Sequence, residues 1–313
     1  MKFSIFMPTG FAQEFADFTD PVAAYVRMME IARMADDAGY HALLAPDHLT
    51  TVRPSNSMVF EAWTLIAALA RETTNVRIGH LVTGNGYRNP ALQAKMASTV
   101  DVLSAGRLEF GIGAGWLEHD HLQYGYEFGT TGERLRKLEE AVQVVLALWT
   151  EEKATFEGRY YQIRDAVNEP KGVQRPHIPL MIGGAGEKVT LRLVAQYADA
   201  CNIMDSPVAA KHKFAVLRDH CHDVGRPYDA IKRTVTAPCI IRDTDTEARA
   251  LIPPASNFVF PGDVGSYGLV GTPDTVRERI AAFEEAGVQE LIVYFEDPTS
   301  VRQVEEFARL FLA

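Results

Sequence analysis

Short apolar runs alternate with segments of helical period along most of the chain. Residues 2–7 (KFSIFM) read as a buried strand stopped by Pro8. Over 21–38, Val22, Tyr25, Val26, Met29 and Ala32 fall at helical spacing, and Gly39 closes the segment. The alternation continues with strand 42–45 and helix 60–71, then strand 76–82 and helix 90–103, which opens on proline. Strand 107–112 precedes helix 134–149, whose Leu135, Leu138, Val142, Val145 and Trp149 share one face. The rhythm breaks over about 153–179, which is read as an insertion, a hairpin packed beside the core. It resumes with strand 180–183 and a helical pattern after it, strand 200–204 and helix 207–224, then strand 233–241 and the short helix 244–251. Residues 253–271, rich in Pro, Gly and aromatics, read as a mobile loop. Thr272, Pro273 and Asp274 form a helix start, with a cap, a first-turn proline and an acid at the positive end. Strand 291–295 and helix 302–312 end the chain.

That makes eight strands, seven of them followed by a helix before the next. Parallel strands need such crossovers, and eight repeats close into a ring. The expected fold is therefore α/β, a (β/α)8 TIM barrel with insertion segments, forming one domain over 1–313. A doubly wound open sheet is the alternative. Against it, the run Gly111 to Trp116 lacks the sixth-position glycine of a dinucleotide fingerprint, and no phosphate-loop signature is present.

Composition narrows the partners. The chain of 313 residues carries 47% hydrophobic and 23% charged residues, enough to bury a large core. A net charge of −10 argues against nucleic acid and anionic membranes. The three cysteines, Cys201, Cys221 and Cys239, are odd in number and far apart, so neither a disulfide framework nor a metal knuckle is expected. No apolar run reaches the length of a membrane span, and a cytoplasmic location is expected.

In a barrel of this kind, chemistry sits at the C-terminal strand ends. Those ends read Asp47-His48, Thr83-Gly84-Asn85, Gly113-Ala114-Gly115-Trp116, Gly183-Gly184-Ala185-Gly186 and Asn202. Glycines at three of the five would let a flat ring lie close to the strands. A strand turning through glycines into a helix leaves free N–H groups that hold an anion, most often phosphate; a plain tight turn is equally compatible. His48 at the rim can exchange a proton near neutrality, or be a turn histidine beside Asp47. Glu118, His119, Asp120 and His121 superficially suggest a metal cluster, but His119 and His121 would face apart on a helix with no third ligand spaced to help. No metal is expected.

The sequence resembles the bacterial-luciferase-like flavin-barrel superfamily, and within it the branch assigned to the deazaflavin coenzyme F-420. The resemblance is carried by PDH at 46–48, EAWTLIAALA at 61–70, and GHLVTGNGYRNPALQAKMASTVDVLSAGRLEFGIGAGW at 79–116. YGYEF at 124–128, RLRKLEEAVQVVLALW at 134–149, FEGRYY at 156–161, QRPHIPLMIGGAGEKVTLRLVAQYADACN at 174–202 and GTPDTVRERI at 271–280 complete it.

The resemblance implies an enzyme with a flavin or deazaflavin at the barrel mouth. It puts Asp47, Thr83, Gly84, Asn85, Gly113 and Ala114 at the ring, with a non-prolyl cis peptide expected among Thr83, Gly84 and Asn85. It puts the phosphate at Gly183, Gly184, Ala185 and Gly186. His48 matches a proton-handling histidine of the sugar-phosphate dehydrogenases that use F-420. Their glutamate after the fourth strand is replaced here by Ala114, which counts against a sugar phosphate; Glu118 is the nearest acid and becomes the candidate. Trp116 is assigned to the substrate pocket, and Tyr124, Phe258, Phe260 and Tyr267 are candidates for an aromatic-lined mouth or else core residues.

The leading function is hydride transfer between F-420 and an organic substrate. The alternatives are an FMN-dependent monooxygenase, which uses oxygen and a separate flavin reductase, and a non-catalytic flavin-binding protein. For the anionic tail of F-420, Arg88, Lys95, Lys188 and Arg192 could line an exit groove, or they are simply solvated charges. A homodimer acting on a small molecule is the expected assembly.

Overall fold

The computed structural model describes residues 1–253 and 256–312, with Asn257 and Phe258 described by backbone alone. Eight parallel strands close into a barrel: β1 (Lys2–Phe6), β2 (Ala42–Ala45), β3 (Arg77–His80), β4 (Leu108–Gly113), β5 (Leu180–Gly183), β6 (Ala200–Ile203), β7 (Lys232–Ile241) and β8 (Glu290–Phe295). Each pairs with its successor in the chain, and β8 closes on β1 with Lys2 opposite Glu290 and Ile5 opposite Val293. The expected (β/α)8 barrel is the fold observed. Its helices begin where the sequence signals them. Asp20 and Asn89 accept N–H bonds at the starts of Pro21–Asp37 and Pro90–Leu103, and Thr272 caps Pro273–Glu285.

Side chains alternate in and out along each strand, so the interior is layered. The floor, at the N-terminal strand ends, is charged. Lys232 Nζ lies 3.0 Å from Glu109 Oε1 and 2.7 Å from Glu290 Oε2, and Arg77 Nε donates to Glu109 Oε1 at 2.9 Å. His41 Nε2 lies 3.4 Å from Glu109 Oε1, and Ser4 Oγ donates to Glu290 Oε1 at 2.6 Å. Above this floor sits an apolar layer that includes Phe6, Leu44, Leu81, Met181 and Ile292. The mouth opens above that layer.

Four local differences from the sequence reading matter. The third strand ends at His80, and the cis peptide joins Leu81 to Val82, ahead of the expected Thr83–Asn85 segment and at a pair without glycine. The chain then resumes as the short strand Thr83–Gly84 beside β4. A helix not foreseen as an element, Glu118–Tyr124, follows β4. The insertion is the expected hairpin, Ala154–Glu157 against Gln162–Ala166, its turn held by Glu140 accepting N–H bonds from Arg159, Tyr160 and Tyr161. Within 253–271, Pro254 and Ala255 lie outside the described residues. The remainder forms short helices Ser256–Val259 and Val264–Tyr267 and a strand, Leu269–Gly271, beside β7. No described helix is long and apolar enough to cross a membrane.

Candidate active site

Where β2 ends, Asp47 and His48 point to different tasks. The Asp47 side chain is fully buried and both its oxygens are engaged. Oδ2 accepts from Thr83 Oγ1 at 2.6 Å, the Gly84 N–H at 3.2 Å and Arg88 Nη1 at 2.6 Å, while Oδ1 accepts from Arg88 Nη2 at 3.1 Å. Burial alone would raise this carboxyl, but the Arg88 guanidinium, with Thr83, holds it below the usual range. Thr83 is committed on both sides, since its hydroxyl also accepts from Trp63 Nε1 at 3.1 Å. Asp47 and Thr83 thus tie the end of β2 to the irregular stretch after β3.

His48 lies at the mouth with a side chain 13% exposed. Its ring stacks on Phe11 at 3.9 Å between centroids, and Trp116 meets it edge-on at 5.6 Å. His48 Nδ1 is 2.8 Å from Asp120 Oδ2, and Nε2 makes no hydrogen bond to a described residue. Asp120 is itself fully buried. It also accepts from Tyr87 OH at 2.9 Å and from the Thr50 hydroxyl. Burial would raise the Asp120 carboxyl, yet hydrogen bonds from His48, Thr50 and Tyr87 hold it below its ordinary range. The acid that meets His48 is therefore Asp120, while Glu118 is exposed on the first turn of the same helix. His119 turns aside to the Thr51 carbonyl at 2.9 Å.

The inner glycines serve a neighbour as well as any ligand. A Cβ on Gly111, Gly113 or Gly183 would come within 2.7–2.9 Å of the Val82 side chain. Gly113 and Gly183 make room for Val82, which is half-buried and packs on the apolar layer after the cis peptide. A flat ligand would rest on Val82 itself. Ala114 follows as a half-buried residue. Gly84 lies close under the Tyr87 ring. Asn85 is buried; its Nδ2 donates to Tyr161 OH at 3.2 Å, and its Oδ1 has no partner. Phe260 and Tyr267, expected at the mouth, are 2% and 6% exposed and belong to the core. The Phe258 side chain lies outside the described residues.

The glycine turn after β5 differs in detail from the expectation. The helix starts at Thr190, not directly after Gly186, and Val189 precedes it without a side-chain cap. Gly184, at φ +129°, anchors the turn through its N–H to the Asn202 carbonyl at 3.0 Å. The amides of 185–190 donate to no described residue, so six consecutive N–H groups lead into the helix start at Thr190 without a described acceptor. Exposed Lys188 and Arg192 flank them without a partner among the described ion pairs. Arg88 and Lys95 are otherwise engaged, the first by Asp47 and Glu61 and the second by the Glu169 carbonyl.

One acid escaped the sequence reading. Glu14, in the loop after β1, has Oε2 accepting the Ala12 N–H at 2.8 Å and a buried, unpartnered Oε1. Burial pushes its carboxyl up to about 7, against the lowering effect of nearby amides. The native group keeps a proton that the unfolded chain releases above about 4.5, so stability falls as pH rises from about 4.5 to about 7. Glu14→Gln should match the wild type near pH 4.5 and exceed it by about 3 kcal/mol at pH 8 in urea unfolding. An equal gap at both pH values would exclude a proton-holding Glu14.

The comparisons with known proteins agree with the fold. A family model described as luciferase-like monooxygenase matches residues 1–260. An FMNH(2)-dependent dimethylsulfone monooxygenase of Pseudomonas putida is 24% identical over 90% of this chain and 85% of its own length. An F420-dependent glucose-6-phosphate dehydrogenase of Microbacterium testaceum is 25% identical over 91% of this chain and 90% of its own. Among solved structures, an F420-dependent secondary alcohol dehydrogenase, in complex with an F420-acetone adduct, shares the fold with a TM-score of 0.81. It is 19% identical and covers 99% of this chain and 98% of that one.

Proposed function

Since the chain belongs to the luciferase-like monooxygenase family, we propose that it moves a hydride between coenzyme F-420 and a small organic substrate at the barrel mouth. The observation that carries this reading is the turn 185–190, whose six amides, like the cations Lys188 and Arg192, have no partner among the described residues. Free amides at a helix N-terminus suit the coenzyme's phosphate, and the two cations suit its anionic tail. The buried Asn85 Oδ1, lacking a partner, offers a hydrogen-bond acceptor to the ring.

When bound, the coenzyme supplies the carbon that gives or takes the hydride. The chain's own groups do the rest. Val82 would support the ring, while Phe11 and Trp116 wall His48 and keep water from it. His48 holds or gives the matching proton at Nε2, and Glu14 is a second group whose proton is loosely held near pH 7.

The FMN-dependent monooxygenase remains the second reading, and one observation favours it. Arg88 and Lys95, two of the four cations expected along a tail groove, are spent on internal contacts. Titration of the purified protein with F-420 and with FMN, followed by tryptophan quenching, separates the two. F-420 should bind, and Arg192→Glu should weaken it about tenfold. Binding of FMN with none of F-420 would overturn the proposal.

A further inference from the structure

We propose that Asp120 is the positioning residue for His48, fixing the imidazole in the tautomer with its proton on Nδ1 and its lone pair on Nε2. The inference rests on the reading above for its purpose, but its evidence lies wholly in this chain. Asp120 is buried, and the described groups within hydrogen-bond distance of its carboxylate are His48 Nδ1, Tyr87 OH and the Thr50 hydroxyl. A carboxylate only accepts, so the Nδ1 that faces it must carry the proton. Nε2 is then the acceptor in the neutral ring and the donor only after the ring takes a second proton.

The ring cannot easily exchange its two nitrogens by turning over. Phe11 lies flat against it, 14° from parallel, and Trp116 stands across it at 82°. Asp120 is fixed in turn by two hydroxyls from separate segments, Thr50 two residues beyond His48 and Tyr87 beyond the third strand. Two segments far apart in sequence, residues 48–50 and Tyr87, converge on one carboxylate, and the carboxylate faces one histidine. A single carboxylate bond to Nδ1, with the carboxylate itself held by two hydroxyls, fixes both ring orientation and proton position.

The competing role is purely mechanical. Asp120 would then dock the helix Glu118–Tyr124 onto the 48–51 segment, as His119 does through the Thr51 carbonyl. The two roles give different results in one experiment. The protein is labelled with [15N]histidine, and His48 ring nitrogens are identified by their loss in His48→Gln. Nitrogen shifts of the neutral ring are then compared in the wild type, Asp120→Asn and His119→Ala, all without coenzyme.

The wild type should hold Nδ1–H over Nε2–H by at least about ten to one. Asp120→Asn can offer Nδ1 an amide N–H in place of the carboxylate, and should bring the ratio near parity. His119→Ala, which removes the other docking contact, should leave the ratio unchanged. A wild-type ring protonated chiefly on Nε2 overturns the proposal, and so does an Asp120→Asn ratio equal to that of the wild type. The wild-type spectrum alone decides the matter if Asp120→Asn does not fold. Because no coenzyme is present, failure here is distinct from failure of the F-420 titration.

Discussion

Asp47→Ala is expected to destabilise the fold by about 3–5 kcal/mol, the range for breaking a buried ion pair from one side. The Arg88 side chain is 12% exposed and would keep Glu61 as its remaining carboxylate. The Gly84 N–H and the Thr83 hydroxyl would lose the acceptor they share. Each buried donor left unpaired costs about 1–3 kcal/mol. The native Asp47 carboxyl is held below its usual range, so its contribution is complete above about pH 4 and is lost as pH falls toward the lowered native value. The variant and wild type should therefore converge in acid and diverge at neutrality. Urea midpoints well below pH 4 and at pH 7 test this, and a neutral-pH cost below about 1 kcal/mol would show that Asp47 is replaceable.

His48→Ala should slow hydride transfer by about 10²–10⁴-fold, the usual loss when a positioned proton carrier is removed. Coenzyme affinity should stay within about threefold of the wild type, because the turn proposed for the phosphate lies at the end of β5 and the histidine at the end of β2. The measurement is an anaerobic single turnover of reduced F-420 with an acceptor that the wild-type protein uses. His48→Gln serves as the volume control, since Phe11 otherwise loses the ring on which it stacks. Equal rates in all three proteins would remove His48 from the chemistry.

The strands and crossovers were legible because each buried strand is a short apolar run and most of the long helices carry a cap and a helical period. The His48–Asp120 pair was not, although both residues were noticed. Seventy-two positions separate them, and only the barrel's closure brings the two segments together. Glu14 sits in FAQEFADF, a stretch without period, and its raised carboxyl comes from the fold packed over it. The glycines do mark a close approach of atoms to the backbone, and Val82, in the stretch between β3 and Thr83, makes it at Gly111, Gly113 and Gly183. Glu109 and Glu290 carried a signal that went unread: an acid inside an apolar strand needs a cation facing it, and Lys232 and Arg77 supply two.

The ion-paired base and the greasy tier above it have a kinetic corollary. They stopper the vessel at one end, so everything that visits the mouth arrives and departs through the same doorway. Two visitors stacked in such a well must queue. Whichever rests on Val82 has to enter first and leave last, which dictates an ordered sequence of arrival and release.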